Sequence, residues 1–243
     1  MVLFSSNAFG AILDDSTVVV LAQWDKKEKH TFIYSRLDYE ILGADTILNS
    51  NISREFVIEV DDSTQHLYSL KYSRKNLPSK GDSIVLDEVP LMLMTNHNGA
   101  LIKVLNWDSY LAWRNNDVEN TSDDLMPYVS MLSFNGKRLR LNYDYRGSQI
   151  IPGHEVGGVD SVKSSSHMII TRDFINSGEY GLLTINTITE YFSLKGNSTL
   201  PLVDKFTQIV DSEKGWPMAT YSERRRKASK GVNVSAWSIK LLN

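Results

Sequence analysis

The chain has 243 residues, of which 42% are hydrophobic and 23% charged, as is ordinary for a globular protein. Its formal net charge of −3 argues against the strongly basic field typical of proteins that bind nucleic acid or an acidic membrane. The absence of cysteine excludes disulfides and thiolate metal sites. The length suits one large β domain, so we predict a single domain over residues 1–243 with a sizeable core.

The N-terminal stretch carries no targeting or membrane-spanning signal. Residues 1–11 lack the basic region with which a secretory signal peptide begins. The apolar run at 17–22 is far too short to span a bilayer. The sequence therefore predicts no transmembrane segment and no intact signal peptide in this chain.

The first half of the chain predicts antiparallel strands joined by short polar turns. Apolar and polar residues alternate in most of these runs, which is typical of a sheet with one buried face. Charged residues, Asp, Ser and Gly fill the intervening segments and favour turns. Strands are predicted over residues 18–21, 31–42, 52–60 and 66–73, with turns at 24–29, 43–46 and 61–64.

Residues 91–105 predict a hairpin. The apolar run 91–94 lacks clean alternation, which is typical of a central strand covered on both faces. Asn98 and Gly99 follow and favour a type I′ turn, because Asn and Gly tolerate the positive φ angles that this turn needs. A return strand is predicted over 101–105.

A short helix is predicted directly after this hairpin. Trp107, Tyr110 and Leu111 fall at helical spacing, so they turn one face toward the sheet. Asn106 or Asp108 is expected to cap the helix by accepting hydrogen bonds from its free N–H groups. The unit therefore reads strand, turn, strand and helix.

The second half again predicts strands, after a polar and acidic run at 115–124 that suits an exposed loop or a boundary between two lobes. Residues 202–210 fit a helical face after Pro201 and also fit a strand ending at Asp211, so the pattern leaves both open. A final hairpin follows the Gly-Trp-Pro at 215–217. Strands are predicted over 129–132, 139–145, 168–171, 182–188, 191–194, 218–226 and 234–242.

These elements define the fold class as mainly β, with α+β at most. We predict a large antiparallel sheet, curved or partly closed, with one or two short helices. Patterning leaves open whether the sheet closes, because closure depends on strand tilt and stagger.

Three phrases of the sequence carry a resemblance. They are residues 24–72 with their Gly-Ala-Asp-Thr and Val-Asp-Asp-Ser turns, Asn-x-Asn-Gly at 96–99 with Asn-Trp at 106–107, and Asp-x-x-x-Gly-Trp-Pro at 211–217. Together they resemble uncharacterised β-rich proteins of the Bacteroidetes cell envelope, which are often exported or lipid-anchored. In that family the segment before Gly-Trp-Pro is a strand, so the resemblance favours a strand over 202–210.

This resemblance implies a location in the cell envelope or periplasm and no known activity. The chain departs from the family pattern, because it has neither an intact signal sequence nor a lipobox cysteine. The resemblance therefore informs the fold more than the function.

No catalytic residue, metal site or cofactor is predicted. His154 and Glu155, with Asp160 nearby, are too few for a metal, which needs three or four converging ligands. Adjacent strand residues also point to opposite faces. The serine run 164–166 lacks Gly-x-Ser-x-Gly, and 153–158 lacks the glycine spacing of a dinucleotide site. The remaining histidines are scattered: His30, His66, His97 and His167.

One basic and aromatic run is the candidate ligand-binding site. Arg138 and Arg140 share a face of the predicted strand, and so do Tyr143 and Tyr145. Such a face suits nucleic-acid stacking, but the acidic total charge argues against that partner. The densest basic run, at 224–227, is expected on an edge strand that its charges protect from pairing.

Three functions fit these features. The first is a non-enzymatic cell-envelope protein whose curved sheet shelters an apolar ligand, with Trp and Tyr on its concave side, or presents a face to a protein partner; the partners it allows are a lipid, a glycan or a protein. The alternative is a hydrolase of a glycan or peptide. It predicts carboxylates about 5–10 Å apart or a His–acid pair in hydrogen-bond reach. The third is an assembly subunit with an exposed apolar patch.

Overall fold

The computed structural model describes residues 12–14, 16–74, 89–113, 129–152, 160–174, 181–194, 199–228 and 230–242. The predicted boundary at 115–124 lies outside these ranges. Helix α1 spans Trp107–Trp113, and residues 129–131 form a second helical turn. The strands are β1 (Ile12–Asp14), β2 (Thr17–Val19), β3 (Lys29–Leu42), β4 (Asp45–Ser63), β5 (Leu67–Arg74), β6 (Leu91–Asn96), β7 (Leu101–Val104), β8 (Arg138–Arg140), β9 (Tyr145–Ile151), β10 (Val162–Phe174), β11 (Gly181–Ser193), β12 (Thr199–Asp211), β13 (Pro217–Lys227) and β14 (Val232–Leu242).

Eleven strands form one large antiparallel sheet in the order β7-β6-β5-β4-β3-β14-β13-β12-β11-β10-β9. The last strand of the chain, β14, pairs with β3 and so joins the early strands to the late ones. The sheet does not close, which leaves β7 and β9 as its two edges. A small three-stranded sheet has the order β1-β2-β8. The prediction of a mainly β fold with a large antiparallel sheet and short helices is confirmed.

The large sheet carries its core on one face, which we name the covered face. Cross-strand partners share a face of a sheet, and Phe32 pairs with both Phe56 and Leu241 on this one. Farther along the same face, Ile185 pairs with Ile170. The four residues Phe32, Phe56, Ile170 and Ile185 are fully buried. The opposite face, which we name the open face, carries Ser35, Ser238, Tyr221, Thr207 and Asn186 along one cross-strand row.

Two different layers cover the core. On the β3–β7 side the segment around Trp24, helix α1 through Tyr110, and the helical turn through Met131 pack against the sheet. On the β10–β12 side the small sheet lies over it, with Val18 and Leu139 packed in the same buried cluster as Ile170 and Ile185. The chain before β3 and between β7 and β9 therefore supplies the second layer that a one-sided sheet needs.

The predicted hairpin 91–105 is present as β6 and β7, but its turn is not type I′. Gly99 has φ +85°, whereas Asn98 is not among the residues with positive φ. The loop has three residues: Gly99 N–H donates to Asn96 C=O and Asn96 N–H to Ala100 C=O, each at 2.9 Å. A three-residue loop needs only its last residue in the left-handed region, which explains the difference. β6 is also the strand next to an edge, not a central one.

Helix α1 follows as predicted, but the Asn106 side chain has a different role. Its Oδ1 accepts a hydrogen bond from Met92 N–H at 2.8 Å, and its Nδ2 donates to Pro90 C=O at 2.7 Å. The amide therefore ties the start of the helix to the start of β6. Its backbone carbonyl accepts the N–H of Tyr110 and begins the helix.

Two strand predictions in the second half are wrong. Residues 129–132 form a helical turn, in which Met131 and Leu132 are buried, because a short apolar run does not distinguish a buried strand from a buried helix. Residues 139–145 are not one strand, since Leu139 belongs to β8 and Tyr145 to β9 in the other sheet. The runs predicted separately at 182–188 and 191–194 form the single strand β11.

The strand assignment of residues 202–210 and the closing hairpin are confirmed. Residues 202–210 lie within β12, and β13 and β14 pair through nine cross-strand partners without a register shift. The basic run at 224–227 lies on β13, between β12 and β14. The expectation of an edge strand there is therefore wrong, and the charges of Arg224 and Arg225 are paired within the sheet, as described below.

Candidate functional site

Arg138, Arg140, Tyr143 and Tyr145 meet at the turn that leads from β8 to β9, and we name this set the corner cluster. Arg138 and Arg140 are exposed on either side of the buried Leu139. The Tyr143 and Tyr145 rings contact edge to face with centroids 4.8 Å apart. The Arg140 guanidinium lies 5.8 Å from the centre of the Tyr143 ring. Arg140, Tyr143 and Tyr145 are thus in contact although the chain turns between them, and Arg138 lies beside them on β8.

Backbone contacts hold this turn in place. Leu141 N–H donates to Ser16 C=O, and Asn142 N–H donates to Ile170 C=O, both at 2.8 Å. Asn142 has φ +54°, a left-handed conformation that Asn adopts more readily than most residues. Arg140 N–H donates to the Tyr145 hydroxyl oxygen. The side chains of the corner cluster are therefore presented by a fixed backbone, with the Tyr143 ring 48% exposed.

A charged group links the corner cluster to β9. Arg146 Nε donates to Asp144 Oδ2 at 2.7 Å, and His167 Nδ1 lies 3.5 Å from Asp144 Oδ1. The hydrogen bond from Arg146 holds the pKa of the Asp144 carboxyl below its usual value. The Arg146 side chain is nevertheless 74% exposed, so most of its donors face solvent.

A cleft of about 610 Å³ lies on the open face over β9, β10 and β11. Its lining is hydroxyl-rich and basic, with one aromatic ring. The lining residues are Arg146, Gly147, Ser148, Lys163, Ser165 and Phe192. The volume is that of a small-molecule site, but the polar lining does not match the apolar walls that a lipid carrier requires. Sequence patterning missed this cleft because its residues come from three strands.

A second cavity of about 240 Å³ lies over β3, β13 and β14. Its lining includes Asp38, Arg224 and Ser235. Ser235 Oγ donates to Asp38 Oδ1 at 2.6 Å, so the carboxylate is held within the sheet. Charged side chains stand in this lining, but most of the accessible wall is apolar, and the cavity is separate from the corner cluster.

Two arginines of the basic run on β13 are paired with carboxylates on opposite faces of the sheet. On the covered face Arg224 donates to both oxygens of Asp204 at 2.8 and 2.7 Å. On the open face Arg225 Nε donates to Glu223 Oε1 at 2.6 Å. The hydrogen bond from Arg225 lowers the pKa of the Glu223 carboxyl. These two arginines therefore neutralise partly buried carboxylates and are not a free basic patch.

Each of these carboxylates also accepts a tyrosine hydroxyl. Tyr191 Oη donates to Asp204 Oδ2 at 2.6 Å, and Tyr221 Oη donates to Glu223 Oε2 at 2.7 Å. Burial, together with these hydrogen bonds, raises the pKa of Tyr191 and of Tyr221 to about 12. The same Tyr–carboxylate–Arg arrangement thus occurs once on each face.

A closer His–acid pair than His167–Asp144 is formed by His30 and Glu28, which the sequence did not single out as a pair. His30 Nε2 is 2.9 Å from Glu28 Oε1. The same oxygen accepts the Trp216 indole N–H at 3.0 Å, and Glu28 Oε2 accepts Asp25 N–H at 2.8 Å. Trp216 also stacks on Trp24 at 4.5 Å. The Glu28 carboxylate therefore accepts hydrogen bonds that join the residues just before β3 to the Gly-Trp-Pro turn.

The other proposed ligands give no metal site. His154 and Glu155 lie outside the described residues. Within the described ranges, no group of three His, Asp or Glu side chains is placed to hold a metal ion. In the same part of the chain, none of the helices has the length and apolar character needed to cross a bilayer.

Comparison with known proteins identifies no family for this chain. No protein-family model and no curated protein matches the chain. A solved structure that aligns with it is that of a Bacteroides fragilis protein with a YmcC-like fold, inferred to be exported. The alignment covers 91% of this chain and 100% of the other at 10% identity, with a TM-score of 0.27. At that TM-score no property of the other protein is carried over to this chain.

Proposed function

We propose that this chain is a non-enzymatic binding protein of the cell envelope, with the corner cluster as its contact surface for a protein partner. The observation that carries this proposal is the fixed Arg140–Tyr143–Tyr145 arrangement on an exposed turn. Tyrosine and arginine supply much of the binding energy at protein interfaces, and a side chain already held in place loses less entropy on binding. The envelope location rests on the sequence resemblance.

A protein partner is better supported than an apolar ligand. Two cavities lined by described residues include charged and hydroxyl-bearing side chains in their walls. Binding of an apolar ligand would need a groove lined by several Trp and Tyr rings, whereas each of these two cavities has one aromatic side chain in its lining, Phe192 or Tyr39. Trp24 and Trp216, which such a groove would use, are instead buried in the core.

The alternative function, a hydrolase of a glycan or peptide, has weaker support. The His30–Glu28 pair satisfies its geometric requirement, but the carboxylate already accepts three hydrogen bonds from structural donors. A carboxylate whose oxygens already accept these hydrogen bonds is poorly placed to bind a substrate or to activate water. We therefore place the function in binding.

The proposal is tested by photo-crosslinking in cells that express the full chain. A photoreactive residue replaces Tyr143, and a matched control replaces Leu48, which is 59% exposed on β4. We expect a discrete covalent adduct from position 143 that position 48 does not give. The additional substitution Arg140→Ala is expected to reduce its yield by about tenfold, the loss of a 1.4 kcal/mol contact. The same adducts from both positions, or none from position 143, would contradict the proposal.

A further inference from the structure

The two edges of the large sheet are not equally protected. At one edge β7 has four residues, includes Lys103 and runs directly toward helix α1. At the other edge β9 has seven residues and pairs only with β10 within the large sheet. Residues 146–150 of β9 are all exposed. A strand edge of this length that contains no proline is a template for the addition of another strand.

The direction of the backbone groups of β9 follows from one hydrogen bond. Ile170 C=O points toward the β9 side, where it accepts the N–H of Asn142. N–H and C=O groups alternate in direction along an antiparallel strand. The backbone N–H and C=O groups of the even-numbered residues of β10 therefore point toward β9. They bond to the backbone groups of their partners, the odd-numbered residues within 145–151 of β9. Arg146, Ser148 and Ile150 are left with N–H and C=O groups that point outward from the edge.

The same three residues place their side chains on the open face. They lie beside the cleft, where Lys163 of β10 is the cross-strand partner of Ile150. Ile150 is 67% exposed. The exposed carboxylate of Glu190 lies two strands in from the edge, whereas Arg146 is on the edge itself. The edge therefore offers unpaired backbone groups, the apolar side chain of Ile150 and the exposed Arg146, which is bonded to Asp144, with Lys163 beside it on β10.

We propose that β9 receives an extended acidic segment of the partner protein as an added strand of the large sheet. This inference rests on the proposed function and names the chemistry of its partner. An acidic side chain opposite Arg146 and an apolar one opposite Ile150 match the charges and contacts of the open face. Addition of a second copy through β9 would bring another Arg146 and Lys163 together with the carboxylates of that copy's Asp144 and Glu190, whereas an acidic segment adds carboxylates alone. Charge complementarity therefore favours the acidic segment.

The probe is a synthetic, end-blocked peptide of seven residues, the length of β9. Glutamate, glutamate and valine occupy alternate positions, so that their side chains share one face of a strand. The control peptide has the same composition with its glutamates adjacent. Binding is measured by fluorescence anisotropy with the full chain, and we expect measurable affinity for the alternating peptide only, weakened by added salt because its charges are exposed.

The deciding variants are Ser148→Pro and Ser148→Ala. Proline at position 148 removes an N–H group that points outward, and it leaves the backbone hydrogen bonds between β9 and β10 in place. Edge strands tolerate proline at such positions. We expect the proline variant to bind the peptide at least about tenfold more weakly, because it loses one backbone hydrogen bond and the close approach of the two strands. The affinity of the alanine variant is expected to stay within about twofold of that of the unmodified chain. Equal binding by both variants would overturn the proposal.

Amide exchange on the unmodified chain gives a test that does not depend on the variants folding. The N–H groups of Arg146, Ser148 and Ile150 are expected to exchange more slowly in the presence of the alternating peptide. Unchanged exchange at these three positions overturns strand addition, while a partner still crosslinked from position 143 leaves the proposed function standing. A concentration-dependent dimer that Ser148→Pro abolishes, and that excludes the peptide, would replace the acidic segment with a second copy.

Discussion

The role of the Glu28 carboxylate can be decided by removing it. It accepts hydrogen bonds from Trp216, His30 and Asp25 at 2.8–3.0 Å, and Trp216 is only 2% exposed. In Glu28→Ala the indole N–H is left buried without its acceptor, which costs about 1–3 kcal/mol. The half-buried His30 adds a smaller loss, whereas Asp25 N–H is exposed and regains water. We expect a total loss of about 2–4 kcal/mol in the free energy of unfolding.

The assay is urea unfolding followed by tryptophan fluorescence, with Glu28→Gln as the matched variant. Glutamine keeps an oxygen acceptor for the indole of Trp216, so it should lose about 1 kcal/mol, less than alanine does. A structural role predicts this order of stabilities. Unfolding midpoints for Glu28→Ala and the unmodified chain that agree within error would refute it and return the His30–Glu28 pair to consideration as a catalytic one.

Two further predictions concern backbone conformation and alkaline pH. Gly43 and Gly215 have similar positive φ angles, +65° and +70°, but an added Cβ meets no atom within 4 Å at the first and collides with the carbonyl of Leu21 at the second. Gly43→Ala is expected to cost about 1 kcal/mol and Gly215→Ala at least about 3 kcal/mol in urea unfolding; equal costs would show that the close approach to Leu21 is absent. The pKa values of Tyr191 and Tyr221, raised to about 12, keep both hydroxyls protonated in the fold after the unfolded chain has begun to ionise near pH 10. Their contribution to stability is therefore complete below about pH 10 and is lost as the pH rises toward 12; an ultraviolet titration that finds every tyrosine ionised near pH 10 in the folded chain would contradict this.

The parts of the fold that sequence predicted well are those where one local signal agrees with burial. β13 and β14 alternate regularly and follow a Gly-Trp-Pro turn, so their pairing was predicted correctly. The helical turn at 129–131 carries only a short apolar run, which a strand or a helix can equally use, and the wrong element was predicted. Tertiary context, here packing of Met131 against the core, decides such segments.

The candidate site shows the same division. The residues of the corner cluster were predicted, but as members of one strand. The left-handed conformation of Asn142 instead turns the chain from one sheet to the other. The contact of Glu28 with Trp216 joins residues 188 positions apart, and no spacing rule within either segment could indicate it. Sequence thus identified the composition of the exposed turn but not the contacts that organise it.

The arginine run on β13 shows why a dense basic run is a poorer candidate than the β9 edge for the proposed strand addition. On a central strand, alternate side chains face opposite sides of the sheet, and here each face supplies a carboxylate: Asp204 for Arg224 and Glu223 for Arg225. Because these two arginines are already paired, they have few hydrogen-bond donors left with which to bind a partner. On β9 the side chains of Arg146 and Ile150 and the outward backbone groups between them are exposed together. Because a partner gains most where backbone and side chains are both accessible, this comparison supports β9 as the place of the proposed strand addition.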